Sequence, residues 1–142
     1  MIKIKTYKGY FTFDKKEYNH LRGHLNTYFE LSIKEINNDK FSGTIIEDSK
    51  TGGIEGVGTV EGYIHQNNIY FIKRMPYLAV LTSVNKIKTY RNKKHPEILY
   101  QGSFDNANNV IKGIWKTKFT IIWFGVLPIP FFPSKGSWQM EL

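Results

Sequence analysis

GVGTVEGYIHQNNIYFIKRMP (56–76) and, further on, EILYQGSFDNANNVIKGIW (97–115) decide the fold of this chain. In an extended backbone Gly56, Gly58, Val60, Gly62 and Ile64 share one face, and Glu55, Val57, Thr59, Glu61 and Tyr63 share the other. Glycine weakens a strand, so three on one face require a reason: a sharply coiled sheet, or a large ring lying over the glycine. His65-Gln66-Asn67-Asn68 reads as a tight turn in which Asn-Asn tolerates left-handed backbone, and Ile69–Met75 as the returning strand. Ile98–Phe104 and Val110–Phe119 read as a second hairpin around the turn Asp105–Asn109.

Outward from this centre the same period continues. Residues 1–13 read as a first strand, with Ile2, Ile4 and then Gly9–Phe13. In Thr27–Asn37, Phe29, Leu31 and Ile33 face one way and Glu30, Ser32 and Lys34 the other. Phe41–Glu47 puts Phe41, Gly43, Ile45 and Glu47 on one face, and Gly136–Leu142 ends the chain as a strand. Residues 14–25 form the one plausible helix: Asp14 and Glu17 have capping-box spacing, and Tyr18, Leu21 and Leu25 make an apolar face. It is expected to be short, weakened by Gly23, and to close one barrel end. The loop 48–53 is polar, glycine-rich and expected to be mobile. AVLTSVNKIKTY (79–90) has strand composition, and RNKKHPE (91–97) reads as a basic loop. In FTIIWFGVLPIPFFP (119–133), prolines 128, 130 and 133 forbid a regular central strand. Phe119–Trp123 is expected to extend the preceding strand, and the remainder to pack as a plug or subunit contact.

With so little helix, parallel βαβ units are excluded, and closure removes exposed strand edges. The expected fold is therefore all-β: a single antiparallel, mostly up-and-down closed barrel of eight or nine strands spanning 1–142, with one short helix near the N-terminus. A chain of 142 residues is long enough for one sizeable core. It has no cysteine, which removes disulfides, thiolate metal sites and cysteine nucleophiles. The opening MIKIKTYKGY holds no apolar run of signal-peptide length, and no segment carries the ~20 apolar residues of a spanning helix. Both observations point to a cytoplasmic protein.

The net charge of +8 is uneven. Residues 1–71 carry 9 Lys+Arg and 9 Asp+Glu, whereas residues 72–142 carry 11 against 3. Lys86, Lys88, Arg91, Lys93 and Lys94 concentrate much of that excess, and form a candidate surface for an anionic partner or a solvated basic face.

A Gly-x-aromatic unit recurs as Gly9/Phe11, Gly102/Phe104, Gly113/Trp115 and Gly136/Trp138. At this spacing a ring can lie across the glycine of a neighbouring strand. The series resembles the strand signature of calycin-type barrels, the lipocalins, fatty-acid-binding proteins and avidins. In particular it is similar to a set of small, largely uncharacterised lipocalin-like domains. The residues that carry the resemblance are Phe41/Gly43, Gly58/Gly62, Ile69/Phe71/Lys73, Tyr100/Gly102, Ile111/Gly113/Trp115 and Gly136/Trp138, covering roughly residues 40–142. The insert 77–97 and the Pro-rich stretch 124–135 lie outside that pattern, and the chain has Gly9-x-Phe11 where true lipocalins carry G-x-W. Calycins bind unrelated ligands and some catalyse, so the resemblance implies the fold and not an activity.

Lys73 shares a face with Phe71 and Ile69, so it points inward if Phe71 does. A buried ammonium needs a partner, and Glu47, on the face of Phe41 and Ile45, can supply it, with Tyr100 hydrogen-bonding either. The expected interior site is Lys73, Glu47, Tyr100, Phe71, Trp115 and Trp138: a polar floor and stacking rings for a small apolar or anionic ligand. The bland alternative is a structural ion pair with both indoles in the core. His20 and His24 are spaced i, i+4, but no third ligand accompanies them, and no metal or cofactor is expected. His65 and His95 read as exposed loop residues. There is no G-x-S-x-G and no GxxxxGK[ST]. The expected function is non-enzymatic ligand binding inside the barrel. The rivals are a peripheral module applying the basic 86–94 and apolar 124–133 loops to an anionic membrane or partner, and a barrel enzyme using Lys73, Glu47 and Tyr100 as acid/base groups. A homodimer through 119–133 is a further expectation; Arg91, Lys93 and Lys94 with nearby Tyr90 could contact a phosphate backbone, but they read rather as a solvated loop, and nucleic acid is disfavoured.

Overall fold

Alternation of apolar and polar side chains makes nearly the whole chain antiparallel β-structure. The computed structural model describes residues 1–83 and 86–142; Val84 and Asn85, inside the expected 79–90 strand, lie outside the described residues. The strands are β1 (Thr6–Phe13), β2 (Thr27–Asn37), β3 (Lys40–Glu47), β4 (Val57–His65), β5 (Asn68–Arg74), β6 (Leu78–Ser83), β7 (Lys86–Tyr90), β8 (Ile98–Asp105), β9 (Val110–Thr117), β10 (Thr120–Phe124), β11 (Leu127–Phe131) and β12 (Lys135–Glu141). One helix, α1 (Lys16–Arg22), follows β1. Eight strands close a barrel in the order β1-β12-β9-β8-β5-β4-β3-β2, with every neighbouring pair antiparallel.

The recurring glycines do what their spacing suggests. Gly9 faces Phe29, Gly62 faces Phe41 and Gly136 faces Trp115 in cross-strand register. A Cβ at these glycines would lie 2.6 Å from Phe29 Cζ, 2.8 Å from Phe41 Cζ and 2.6 Å from Trp115 Nε1. The rings therefore occupy the space that a side chain would need. Gly56 is different: it precedes β4 at φ 93, a turn position rather than a strand one. In the β4–β5 turn the left-handed residue is Gln66 (φ 55), not an asparagine; Asn67 instead donates from Nδ2 to the Phe104 carbonyl at 3.0 Å.

The two barrel ends differ. The tight turns β2–β3, β4–β5 and β8–β9 lie at the lower end, where Ile2 tucks in as a buried plug. β1 thus begins at Thr6, later than expected, and Ile4 is exposed. Every long connection lies at the upper end: α1, the segment 48–56 and two hairpins. Large buried side chains fill the middle of the interior. Phe71 stacks on Tyr100 with centroids 4.7 Å apart, and Trp138 meets both edge-on at 5.6 and 5.5 Å.

The two segments outside the resemblance form hairpins of their own. β6 pairs β7, and β10 pairs β11, each apart from the barrel sheet. β9 stops at Thr117 instead of running on to Phe119. There the Thr117 N–H donates to the Ser134 carbonyl at 2.9 Å and the Ser134 N–H donates to Thr117 Oγ1 at 2.7 Å, forming a neck. The prolines do not prevent β11, because it lies at a hairpin edge. Ile129 pairs Ile122, so the ladder uses Leu127, Ile129 and Phe131, and Pro128 and Pro130 face outward, where no N–H is needed.

Two further expectations are corrected. The cap of α1 is Lys15, with no side-chain hydrogen bond, so the Asp14–Glu17 capping box does not form; Gly23 at φ 76 terminates the helix rather than weakening it. Leu25 lies beyond that stop and is exposed. The loop 48–53 is anchored: Ser49–Thr51 forms a 3-10 turn capped by Asp48. Thr51 accepts from Thr27 Oγ1 through its carbonyl at 2.7 Å and from the Tyr28 N–H through Oγ1 at 3.1 Å.

Candidate functional site

Register places the polar residues at one level. Glu47 ends β3 and Lys73 lies near the end of β5, both inward at the top of the packed interior; Tyr100 on β8 points to the same place. Lys73 Nζ donates to Glu47 Oε2 at 2.5 Å and to the Tyr100 hydroxyl at 3.0 Å. Glu47 Oε1 accepts the Ile54 N–H at 3.0 Å. All three side chains are buried. The ammonium also lies 4.8 Å from the Phe11 ring centroid and 5.0 Å from that of Tyr100, close enough for cation–π attraction.

Above this floor is a cavity of about 410 Å³. Its walls come from the upper-end elements: Phe11 and Phe13 of β1, Tyr18, Leu21 and Arg22 of α1, Ile54, the hairpin β6–β7, His95, Trp115, Phe131 of β11 and the 132–134 segment that follows it. Of the expected site, Lys73, Glu47, Tyr100 and Trp115 line this space. Phe71 and Trp138 do not; they lie beneath the floor in the solid core. Trp115 stands edge-on to Phe13 at 4.8 Å, and its Nε1 donates to the Thr12 carbonyl at 3.1 Å, which fixes its plane against the wall.

The sequence reading missed two polar wall residues. Arg22 is buried, with its guanidinium 4.9 Å over the Phe13 ring. It donates to Asn19 Oδ1 at 3.1 Å, to the Leu25 carbonyl at 2.9 Å and to Thr27 Oγ1, three neutral acceptors. The available signal was spacing: Arg22 stands four residues after Tyr18, on the face assigned to apolar residues. His95 had been placed on an exposed loop. It is instead half-buried against the cavity, accepts the Ala79 N–H on Nδ1 at 3.3 Å and meets Phe131 edge-on at 5.6 Å. The β6 and β11 partners that cover it are distant in sequence, so no local pattern announced this.

Burial alone pulls the Lys73 pKa down. The Glu47 charge and the bonds from Glu47 and Tyr100 more than reverse this, and the ammonium is held above its ordinary value. Burial raises Tyr100 and lowers Arg22, the latter opposed by Glu47. His95 is lowered to about 4, first by burial and then by the Lys73 charge, with Glu47 opposing. Near neutral pH the floor thus presents a charged lysine, a protonated tyrosine and a neutral imidazole. A general base works best with a pKa near the working pH, and neither Lys73 nor His95 has one.

The basic residues lie elsewhere. Lys86, Lys88, Arg91 and Lys94 are exposed and Lys93 half-buried. Arg91 pairs with Glu55 at 2.6 Å. His20 and His24 do not share a helical face, since α1 ends at Arg22, and no group of three His, Cys, Asp or Glu side chains that could hold a metal occurs among the described residues. No helix is long and apolar enough to cross a membrane among the described residues. Comparison with protein-family models, with curated proteins and with solved structures finds no match to this chain.

Proposed function

We propose that this chain is a non-enzymatic binding protein of calycin-like kind, and that its ligand is a small amphiphile held in the upper cavity. The observation that carries this reading is an apolar, aromatic-walled space of about 410 Å³ over an ionic floor in which Lys73 donates to Glu47 and Tyr100 and keeps a third N–H. Ligand sites commonly measure about 300–1,000 Å³ and combine apolar walls with a few convergent polar groups. Two buried cations, Lys73 and Arg22, face a single carboxylate, Glu47, so the wall carries a net positive charge. That balance suits an anionic or carbonyl head group near Lys73, Tyr100 and Arg22, with an apolar body against Phe11, Phe13 and Trp115.

Calorimetric titration with decanoate and with decanol tests this reading. Two outcomes support it: one site per chain, and decanoate the tighter ligand by about tenfold or more, as a charge-assisted hydrogen bond would give. Failure of both to bind would remove the amphiphile reading, and equal affinities would remove the role of the cationic floor.

A further inference from the structure

The two hairpins outside the barrel sheet come together at the cavity mouth. Tyr90 of β7 meets Phe124 of β10 edge-on at 5.3 Å. Lys93 Nζ donates to the Trp123 carbonyl and lies 5.2 Å from the Phe124 centroid. The basic segment is thereby fastened beside the apolar one.

The outer side of β10–β11 is apolar and uncovered. Its tip is Gly125–Val126, with Gly125 at φ 63. A Cβ on Gly125 would meet no atom within 4 Å, and Val126 is 94% exposed, so the tip stands clear of the protein. Ile121, Trp123, Leu127 and Phe132 are exposed behind it. Around this apolar surface stand lysines. Lys88 lies over Tyr90 at 4.9 Å, and Lys94 and Lys118 line the groove along Phe119–Trp123, where Lys118 also pairs with Glu97 at 3.2 Å. An apolar tip with a cationic collar matches a bilayer bearing anionic headgroups, where apolar and aromatic groups enter the interface and lysines meet phosphates.

A second copy of the chain fits less well. Lysine collars repel each other, and Pro128 and Pro130 remove N–H groups from the outer edge of β11, which blocks strand addition. The same prolines leave fewer backbone donors to be desolvated when the tip enters an interface.

We infer that the β10–β11 hairpin docks this protein on anionic membrane surfaces, with Trp123, Val126 and Leu127 at headgroup depth and Lys88, Lys94 and Lys118 around them. Phe131, Phe132 and Pro133, at the base of this hairpin, line the cavity, so docking would bring that wall toward the lipid. Docking does not require the cavity to be filled, and it stands or falls separately from the ligand reading.

The three tryptophans provide the test. Trp115 and Trp138 are buried and Trp123 is 56% exposed, so a lipid-borne quencher reads Trp123. The full chain is mixed with phosphatidylcholine vesicles containing a brominated lipid, with and without phosphatidylglycerol. The expected result is a blue shift and quenching only with phosphatidylglycerol, weakened by added salt. Val126→Asp combined with Leu127→Asp should abolish the quenching, and Lys88→Gln combined with Lys94→Gln should weaken partitioning about thirtyfold. Absence of quenching on anionic vesicles would overturn the inference. So would quenching that persists in the aspartate variant, or a blue shift that grows with protein concentration without lipid, which would mark self-association.

Discussion

Lys73 and Glu47 carry the most consequential charge arrangement in the molecule. Each neutralises the other out of reach of water, so the cost of losing one partner exceeds the worth of the pair. Glu47→Gln strands the ammonium and Lys73→Met strands the carboxylate; each should cost about 3–5 kcal/mol in urea unfolding. The double variant should be less destabilised than the sum of the two, with a coupling of about 1–3 kcal/mol. Additivity would show that the two groups are not coupled in solution. His95 offers a second residue-level check. Its pKa is near 4 in the fold against 6.5 in the open chain, so the unfolded state takes up protons first as pH falls. Its contribution is complete above pH 6.5 and is lost as pH drops toward 4, by at most about 3 kcal/mol. His95→Gln should flatten the stability profile across that window, and the imidazole resonances should titrate near 4; a midpoint near 6.5 would place His95 in solvent. Of these groups, Lys73, Glu47 and Tyr100 were legible in the sequence because strand alternation fixes facing. Arg22 and His95 were not, because a helix stop and an inter-hairpin contact bring them to the cavity.

At the scale of elements, the eight barrel strands were readable from period and turn residues, and the two hairpins only in part. The sequence reading ran β9 on toward Trp123 because Phe119–Trp123 has strand composition without a breaker. What ends β9 is the Thr117–Ser134 neck, a contact across 17 residues that composition does not encode. That neck makes a separable unit of 119–133. Replacing those residues by a short Gly-Ser linker should leave the eight-stranded barrel intact, with the far-UV spectrum retained and Tm lowered by no more than a few degrees for each kcal/mol of lost packing. The same variant should lose decanoate and vesicle binding together, since Phe131 and Phe132 line the cavity and Trp123 lies on the outer face. Collapse of the barrel in this variant would mean that the hairpin is part of the fold.

On the scale of the whole molecule, the barrel is divided along its axis. The lower end is sealed by Ile2 and tight turns, the middle is filled by the Phe71–Tyr100–Trp138 stack, and the top is open beneath the two hairpins. An eight-stranded barrel is wide enough either to be filled or to hold one small ligand, and strand count does not choose between these. In this chain the two conditions fall at different heights, with packed rings in the middle and a cavity at the top. Which height is hollow follows from where the large rings fall in register, and that became visible only once the strands were paired. The excess of positive charge in the second half is also an architectural fact: much of it is carried by the connections at the open end, not by the sealed one. The most direct test of the central claim is isotope-filtered nuclear Overhauser spectroscopy of the labelled protein with unlabelled decanoate. Contacts are expected from the alkyl chain to Phe11, Phe13 and the Trp115 ring, with the carboxylate end near Lys73 and Tyr100. Contacts confined to Trp123 and Val126, or none at all, would contradict a binding cavity in the upper barrel.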